Sequence, residues 1–489
     1  MKKVLISCMA LMLALVGCSN ESATTPSNET SFDESADIVI IGAGGAGLAA
    51  AVEAADNGAE NIIVLEKTGA IGGTSFISQG MISGYDTQIQ LANDVHITYE
   101  QMYDNLMNNA LYRLDPTLTR ITVEKSGETV DWLIDRLNVP FHPESIVGYG
   151  PLAMMHIMGD DKVSGGNAMR EPFMNALEEA GVELKLNTKA NEILMNADGS
   201  VAGVEITTEE GDKTIGAKSV IIATGGYAYN PELTELLTPE MAGTFGIGHP
   251  ACTGDGIIMA SNVGAALTHT DHLMAVLKDY EIMAEHNGNS NTANVSKFIA
   301  SPSTILVDAN AVRFVDEKSG GYMTQELNSP VFDRMHQTNA DYVWAIAPKA
   351  EIEEAGIVRG LDMQFISGET VEELAANMGV DVAVLTETIN HYNEMAKAGA
   401  DVDFKRTTTL NPLEGALVAV KVVPCEIITY GGIARNENAE VLRADGTSIA
   451  GLYVAGEAGA NSAYMGFTLS NAITWGRIAG AQATQYTKK

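Results

Sequence analysis

Residues 37–67, DIVIIGAGGAGLAAAVEAADNGAENIIVLEK, decide the fold of this chain. The stretch opens with an unbroken apolar run rich in β-branched residues, which predicts a strand covered on both faces. Gly42, Gly44 and Gly47 follow with the spacing G-x-G-x-x-G, and an alanine-rich helix and a second apolar strand come next. Glu66 ends that strand, 24 residues after Gly42. The stretch therefore predicts a βαβ unit with a glycine-rich first turn.

Each part of this unit has a role in binding a dinucleotide. Gly42 allows a tight turn, Gly44 lets backbone N–H groups approach a pyrophosphate, and Gly47 lets the helix pack on the strand. The helix N-terminus stabilises phosphate charge, and Glu66 accepts hydrogen bonds from ribose hydroxyls. We therefore predict a dinucleotide site. The alternative is a structural glycine turn in an α/β protein.

Length and charge narrow the function classes. A chain of 489 residues with 46% hydrophobic residues predicts two domains with ample cores. Lys and Arg total 29 against 63 Asp and Glu, a formal charge of −34. This charge argues against nucleic acid and anionic membrane surfaces as partners. An acidic soluble surface explains it more simply than a cationic partner does.

The N-terminus predicts export. Lys2 and Lys3 precede an apolar segment, residues 4–16, that is too short to span a bilayer. Residues 15–18, LVGC, resemble the bacterial lipobox, in which cleavage leaves Cys18 as a lipid-modified N-terminus. We expect residues 1–17 to be a lipoprotein signal peptide and 18–35 a disordered tether, and the protein to be lipid-anchored on the extracytoplasmic face of the cell membrane. An ordinary secretory signal is the alternative.

The cysteines carry little chemistry. Cys8 leaves with the signal peptide and Cys18 carries lipid, so Cys252 and Cys425 form the one possible disulfide, which nothing requires. No C-x-x-C-H motif occurs, which excludes a covalent c-type haem, and no Cys/His cluster has metal-ligand spacing.

Hydrophobic patterning predicts the remaining elements. Residues 95–140 are expected to be helical, and residues 167–181 to form a helix with Gly181 at its C-cap. The predicted strands are 183–187, 190–196, 200–208, 218–223, 304–308, 313–316, 342–347 and 451–457. The other predicted helices are 348–355, 371–379, 382–398, 469–485 and one that follows 253–256. Residues 285–297 are polar and are expected to form a loop.

Further motifs carry a family resemblance. They are G-x-G-x-x-G with Glu66, GGTS at 72–75, ATGG at 223–226, TGDG at 253–256, RFVDE at 313–317, YGG at 430–432, and the 451–457 strand with GRIAG at 476–480. With these motifs the chain resembles the flavoprotein subunit of fumarate reductases and its relatives, the periplasmic fumarate and urocanate reductases and the 3-oxosteroid Δ1-dehydrogenases. The resemblance covers residues 37 to about 486.

The resemblance implies an α/β fold, in which a Rossmann-type FAD-binding domain of the GR2-like class is interrupted by an α+β capping domain. The FAD-binding domain is expected to take residues 36–268 and 428–489. The capping domain, residues 269–427, is expected to lie over the flavin.

The cofactor implied is FAD. By the resemblance, Glu66 binds the adenosine ribose, Glu457 meets the ribityl chain, and Ala472 and Ile473 offer backbone N–H groups to the flavin. The full implied FAD set is Gly42, Gly44, Gly45, Ala46, Gly47, Glu66, Lys67, Gly73, Thr74, Ser75, Gly80, Met81, Thr224, Gly225, Asp255, Glu457, Ser470, Ala472 and Ile473.

The substrate-binding pattern departs from the family. Fumarate reductases hold a dicarboxylate with arginines and histidines and use an arginine as the proton donor. The corresponding segments of this chain contain neither residue type; they are 298–303 (FIASPS), 318–322 (KSGGY), 428–430 (ITY) and 462–465 (SAYM). Because bidentate carboxylate clamps are missing, we expect a less charged substrate than fumarate.

Three tyrosines stand where the resemblance implies polar active-site groups: Tyr322, Tyr430 and Tyr464. A phenol donates a proton or polarises an enone carbonyl, so these are the predicted catalytic residues; the alternative is that each only packs in the core. Secondary candidates are His269, Asp271 and His272, and Lys297 as a substitute for a lost arginine.

Three functions stay open at this point. The first is reduction of an activated C=C bond in a small unsaturated substrate, with electrons from a separate donor protein at the membrane or cell surface. The second is the reverse reaction, desaturation of a ketone such as a 3-oxosteroid. The third is a lipoprotein that binds flavin without turnover.

Overall fold

The computed structural model of the protein describes residues 31–149, 152–271, 273–285, 295–319, 325–357, 365–460 and 462–489. The predicted signal peptide, Cys18 and most of the predicted tether lie outside these residues, and so do His272 and Tyr322. The predictions made for them stay predictions. In the described part of the chain, no helix combines the length and the apolar character needed to cross a membrane.

Strands and helices are interspersed along the whole described part of the chain. The strands are β1 (Glu34–Ile41), β2 (Ile62–Leu65), β3 (Met81–Ser83), β4 (Phe141–Tyr149), β5 (Leu152–Met158), β6 (Glu183–Lys185), β7 (Lys189–Met195), β8 (Val201–Thr208), β9 (Gly211–Ile222), β10 (Phe245–Gly246), β11 (Leu267–Thr268), β12 (Leu273–Asp279), β13 (Ile305–Val307), β14 (Val343–Pro348), β15 (Ile366–Gly368), β16 (Leu417–Thr429), β17 (Gly432–Ile433), β18 (Glu440–Leu442) and β19 (Ser448–Val454). The α-helices are α1 (Gly45–Asp56), α2 (Gly73–Ile77), α3 (Gln88–Ala92), α4 (Tyr99–Asn109), α5 (Pro116–Glu124), α6 (Ser126–Asp135), α7 (Arg170–Ala180), α8 (Pro231–Leu237), α9 (Asp255–Asn262), α10 (Tyr280–Glu285), α11 (Ser296–Ala300), α12 (Gln325–Thr338), α13 (Lys349–Glu354), α14 (Val371–Met378), α15 (Val382–Ala398) and α16 (Thr468–Thr487).

The predicted βαβ unit is confirmed and lies at the centre of the first sheet. The strand order is β18–β19–β9–β1–β2–β6, and β1 pairs in parallel with both β2 and β9. All of β2 and the last four residues of β1 are buried, because both faces of a central parallel strand are covered. The strands β7 and β8 extend the sheet from β9 as an antiparallel hairpin.

Helix α16 packs closely against α1. A Cβ atom added at Gly476 would lie 2.3 Å from Ala46 O, and one added at Gly480 would lie 2.3 Å from Ala50 O. The two glycines therefore bring the backbones of the helices together. This contact ties the last helix of the chain to the first βαβ unit.

A second, mostly antiparallel sheet is built around β16. Its path is β10–β16–β14–β13, and β12 and β15 also pair with β16. One core cluster of this sheet contains Val276, Leu277, Leu306, Val420 and Cys425. The mixed α/β architecture agrees with the predicted fold class. The residue bounds of the predicted domains stay a prediction.

Two local predictions are wrong. Residues 313–316 form no strand, and Arg313 makes only an isolated bridge to Val307. Its side chain instead enters a buried ion-pair cluster, 2.7 Å from both Glu317 and Asp401. The predicted polar loop over 285–297 is also too long, because α11 begins at Ser296 with Phe298 and Ile299 buried.

The other predicted helices and strands are found, with shifted ends. The segment 95–140 is helical, as predicted, and is divided into α4, α5 and α6; Thr98 and Asp115 each accept hydrogen bonds from the first turn of a helix. Gly181 takes the left-handed conformation at the end of α7, as predicted.

Candidate functional site

A cavity of about 610 Å³ lies where the two sheets meet. On one side it is lined at the carboxyl ends of parallel strands, by Ile41, Leu65, Ala223 and Ala455. In open α/β sheets, ligands bind at this edge. On the other side it is lined by residues of β12 and β16 from the second sheet.

The glycine-rich turn shows two different glycine roles. A Cβ at Gly47 would lie 1.8 Å from Gly42 O, so Gly47 is required for helix–strand packing. A Cβ at Gly44 would meet only Gly72 O, at 3.9 Å, and Gly44 faces the cavity. The open space beside Gly44 at the N-terminus of α1 suits a phosphate group.

The Glu66 carboxylate hydrogen-bonds to the backbone that is expected to surround the nucleotide. One carboxylate oxygen accepts a hydrogen bond from Ala43 N at 3.1 Å, and the other accepts from Thr68 N and its hydroxyl at 2.9 and 2.8 Å. Nearby, Lys67 Nζ lies 2.6 Å from Asp255 Oδ2, and Lys189 lies 3.7 Å from the same carboxylate. The two lysines at this end of the cavity therefore have a carboxylate partner.

The middle of the cavity is formed by α2 and the turn after it. Ser75 Oγ accepts a hydrogen bond from Gly45 N at 3.3 Å, and Thr74 Oγ1 lies 3.4 Å from Cys252 Sγ. Gly80 has φ +69°, and a Cβ there would lie 2.3 Å from the backbone of Gly165. Backbone packing therefore fixes this part of the wall.

Glu457 lines the cavity from the short turn after β19, next to Thr429 at the end of β16. Its carboxylate accepts hydrogen bonds from Thr429 N at 2.9 Å and Thr429 Oγ1 at 3.1 Å. Burial raises the pKa of Glu457 to about 7, against the lowering effect of those two bonds. Near neutral pH the group therefore exchanges between donor and acceptor forms.

Sequence reasoning missed the buried Arg435 behind this wall. Its guanidinium donates to Ser462 Oγ at 2.5 Å and to Asn471 Oδ1 at 3.2 Å, and both of these residues line the cavity. It also stacks on Trp475 at 3.8 Å, and burial lowers the pKa of Arg435 to about 9. Nothing in the local sequence signalled this role.

Most of the predicted cofactor residues line the cavity, but Gly47, Ser470 and Ile473 do not. Ser470 Oγ bonds to the backbone of Ser83, and Ile473 is part of the core. The first-turn amides of a helix have no intrahelical acceptor. In α16 the first turn begins at Thr468, and both Thr468 and Leu469 line the cavity. A ligand acceptor at this end of the helix would therefore reach their N–H groups before those of Ala472 and Ile473, which were predicted to bind the flavin.

The three predicted catalytic tyrosines have different positions. Tyr430 lines the cavity and is buried, with its hydroxyl donating to Met274 Sδ at 3.2 Å. Tyr464 stacks on Tyr430 with ring centroids 5.2 Å apart and is not part of the cavity wall. Tyr322 lies outside the described residues. The catalytic assignment stays a prediction.

The described secondary candidates do not reach the cavity wall. His269 Nδ1 lies 2.7 Å from the hydroxyl of its neighbour Thr268. Asp271 is exposed and pairs with Arg113 at 3.4 Å, and Lys297 is exposed on α11. The possible disulfide is also not formed, because Cys252 and Cys425 are free. Among the described residues there is no His/Cys/Asp/Glu cluster that could hold a metal ion.

Sequence reasoning also missed Lys278, the one lysine that reaches the cavity from the second sheet in the described part of the chain. It follows Met274 and Val276 at alternate positions of β12, and all three residues line the cavity. The alternation was readable in the sequence, but only the sheet pairing shows which face meets the cavity.

Comparisons with known proteins agree with this geometry. The family model for an FAD binding domain matches residues 37–473. The chain is 31% identical over 464 residues to a probable fumarate reductase, Ifc3, of Shewanella frigidimarina, covering 93% of this chain and 75% of that protein. It is 29% identical over 469 residues to a urocanate reductase of Eggerthella lenta, covering 91% of this chain and 74% of that protein.

A solved structure also resembles this fold closely. A 3-ketosteroid-Δ4-(5α)-dehydrogenase from Rhodococcus jostii superimposes with a TM-score of 0.74 at 26% identity, over 94% of this chain and 99% of that chain. These similarities confirm FAD as the cofactor and an oxidoreductase as the class of protein. The chain therefore belongs to the fumarate reductase family of FAD-dependent oxidoreductases, which act on carbon–carbon double bonds.

Proposed function

We propose that this protein is an extracytoplasmic, lipid-anchored reductase that reduces the C=C bond of an enoate or enone other than fumarate. The observation that carries the proposal is the cavity itself. The predicted dinucleotide-binding residues of the first sheet line the same cavity as Lys278 and Tyr430.

The residues of the cavity fit FAD. Gly44 leaves space for the pyrophosphate at the start of α1, and the Glu66 carboxylate lies at the end of β2, where a ribose is bound in such folds. Glu457 and the first turn of α16 lie on the wall shared with the second sheet. When bound, FAD supplies a hydride equivalent to the substrate.

The charges on the cavity wall argue against a dicarboxylate. No arginine lines the cavity among the described residues. Lys67 and Lys189 already share Asp255, and His249 Nδ1 accepts a hydrogen bond from Ala251 N at 3.2 Å. Because two carboxylates are normally held by several cationic groups, a substrate with one activating group fits this wall better than fumarate does.

Reduction of the double bond also needs a proton. One hydride adds to the β carbon, one proton adds to the α carbon, and the C=C bond becomes CH–CH. Tyr430 lines the cavity, and the thioether that accepts its hydrogen bond is a weak acceptor. We therefore assign Tyr430 as the proton donor. Tyr464 supports its ring from behind, and Tyr322 stays a further predicted donor.

Anchoring and electron supply complete the proposal. The lipobox-like residues 15–18 support a lipid on Cys18. In this proposal a separate protein at the membrane or cell surface delivers the electrons. The acidic surface, with a formal charge of −34, suits a donor that presents a basic face.

A second candidate function is desaturation of a ketone. The similarity to the 3-ketosteroid dehydrogenase structure favours it, as do the stacked tyrosines beside a largely apolar wall. In that case the same residues would remove a proton from the α carbon and the hydride would leave the β carbon.

An anaerobic assay separates the two functions. The purified protein with bound FAD is incubated with reduced viologen and a panel of enoates and enones, and separately with an oxidised dye and saturated ketones. Oxidation of the viologen supports the reductase. Reduction of the dye by a ketone, without viologen oxidation, supports the dehydrogenase. Failure of both reactions in FAD-loaded protein would support flavin binding without turnover and would contradict the proposal.

A further inference from the structure

Lys278 is a buried cation for which the described residues provide no counter-charge. Its side chain is 8% exposed, and burial lowers the pKa of its ammonium group. No ion pair with a described residue offsets that burial. Burying a lysine without a hydrogen-bonded partner is costly, so a residue of this kind calls for a partner from outside the chain.

The pleat of β12 aims Lys278 into the cavity. Met274, Val276 and Lys278 alternate along the strand and all line the cavity. The intervening residues Ala275 and Leu277 belong to core clusters. β12 pairs with β16 along its length, with Lys278 opposite Val423, so the direction of the side chain is fixed by the sheet.

The surroundings of Lys278 do not neutralise its charge. The part of the cavity wall that β12 and β16 contribute is mostly apolar, with Met274, Val276 and Ile427. Among the described residues, the one ionisable group that affects the pKa of Lys278 is the Cys425 thiol. Because complete burial raises the pKa of Cys425 far above its usual range, that thiol is neutral. The ammonium group therefore lies at the cavity without a compensating charge from any residue that the structure describes.

The other lysines of the cavity wall are already paired. Lys67 lies 2.6 Å from Asp255, and Lys189 lies 3.7 Å from it, at the end of the cavity that contains Glu66. Within the described part of the chain, Lys278 is thus the cavity lysine without a carboxylate beside it. It is also the one that the second sheet contributes.

We propose that Lys278 binds the carboxylate of the substrate, and that the substrate is therefore a monocarboxylic enoate with an apolar remainder. This inference rests on the proposed function of the cavity. One carboxylate matches one ammonium group and its three donors. A dicarboxylate would leave a second negative charge against an apolar wall, and a neutral enone would leave the ammonium group unpaired.

Equilibrium binding tests this proposal without turnover. Saturated monocarboxylates of increasing length, which cannot be reduced, are titrated into the FAD-loaded full-length protein by calorimetry. Methyl ketones of the same lengths and succinate serve as the neutral and dicarboxylate comparisons. We expect the best monocarboxylate to bind at least about tenfold more tightly than its ketone and than succinate.

Variants assign the binding to Lys278. Lys278→Met should lower the affinity for the best monocarboxylate by at least about tenfold and should change the affinity for the ketone by no more than about twofold. Lys278→Arg should keep more of the carboxylate affinity than Lys278→Met does. Lys397→Met is the matched control, because it removes one positive charge from an exposed position at the end of α15; it should change neither affinity.

The possible outcomes separate this inference from the proposed function. Unchanged carboxylate binding in Lys278→Met, or no binding of any monocarboxylate to FAD-loaded wild-type protein, would overturn the role of Lys278. In either case reduction of enones would leave the reductase proposal standing. Carboxylate binding that depends on Lys278, without reduction of any enoate, would support the ligand class and overturn the reductase. FAD content and melting temperature of each variant show that it is folded and loaded.

Discussion

The ring of Tyr430 stacks on the ring of Tyr464, with centroids 5.2 Å apart and planes inclined by 27°. Both rings are buried, but only Tyr430 lines the cavity. The pair joins the segment after β16 to the segment before α16, so it lies where the second sheet meets the nucleotide-binding fold. The stacking gives the two phenols different roles. Tyr430 lines the cavity, with its hydroxyl donating to Met274 Sδ, and Tyr464 packs against the ring that carries this hydroxyl.

The phenols should therefore respond differently to removal of their hydroxyl groups. Tyr430→Phe keeps the stacked ring but removes the proposed acid, so kcat for enoate reduction should fall by about 10²- to 10⁴-fold. Tyr464→Phe, the matched control, should lower kcat by much less. The bound-flavin spectrum should be unchanged in both variants. Equal losses of turnover in the two variants would contradict the assignment of Tyr430.

Substitution of the two glycines of the first turn should cause two different defects, one in FAD binding and one in stability. The Cβ atom that Gly44→Ala adds would lie no closer than 3.9 Å to any other atom, but it would project into the cavity. The free energy of unfolding of the apoprotein should therefore stay within about 0.5 kcal/mol of the wild-type value, while FAD should bind at least about tenfold more weakly. Gly47→Ala places a Cβ 1.8 Å from Gly42 O and should destabilise the apoprotein by more than about 3 kcal/mol. Urea unfolding of the apoproteins measures the change in stability, and FAD titration measures the change in affinity. A stable Gly47→Ala variant would contradict the packing.

The buried carboxyl group of Glu426 should make the stability of the protein depend on pH. It lies in β16, where Thr234 and Thr244 hydroxyls donate to its carboxylate at 3.2 and 3.1 Å. Burial raises its pKa from 4.5 to about 7. The folded state therefore retains a proton that the unfolded state releases between these values, so the free energy of unfolding falls by about 3 kcal/mol as pH rises through this window.

Glu426→Gln isolates this contribution, because the amide does not titrate. The free energy of unfolding, measured by urea denaturation, should be compared between wild type and variant at about pH 5 and at about pH 8. The difference, wild type minus variant, should be about 3 kcal/mol larger at about pH 5 than at about pH 8. The comparison cancels the other titrating groups, which both proteins share. The same difference between the two proteins at both pH values would show that Glu426 keeps an ordinary pKa.

The proposed anchor predicts where the protein is found. Wild-type protein should sediment with membranes and be released by detergent, and mass spectrometry should find a diacylglyceryl group on Cys18. Cys18→Ala removes the acceptor and should abolish that modification. Wild-type protein that is recovered in the soluble fraction with an unmodified Cys18 would contradict the anchor.

The nucleotide-binding half was predictable because its signals are local. The apolar runs, the glycine spacing and Glu66 lie within 37–67. The structure confirms the predicted strands and the packing of Gly47 on Gly42, and the ligand roles of Gly44 and Glu66 stay predictions. The same holds for α15, predicted over 382–398, since Asp381 caps its start and Gly399 ends it in the left-handed conformation.

The second sheet was harder to predict because its contacts are distant in sequence. β16 was not predicted, since Pro424 signals a break in a strand, yet this proline lies opposite Leu277 in the middle of the pairing with β12. Lys278 was missed for the same reason. Its role depends on which face of β12 turns towards residues more than a hundred positions away.

The central claim is tested most directly by reoxidation of the bound flavin. The wild-type protein, purified with FAD, is reduced anaerobically and mixed rapidly with a monocarboxylic enoate while flavin absorbance is followed. We expect rapid reoxidation with formation of the saturated acid, and slow reoxidation in Tyr430→Phe and Lys278→Met. Reduced flavin that persists in fully loaded wild-type protein with every enoate and enone would contradict the account.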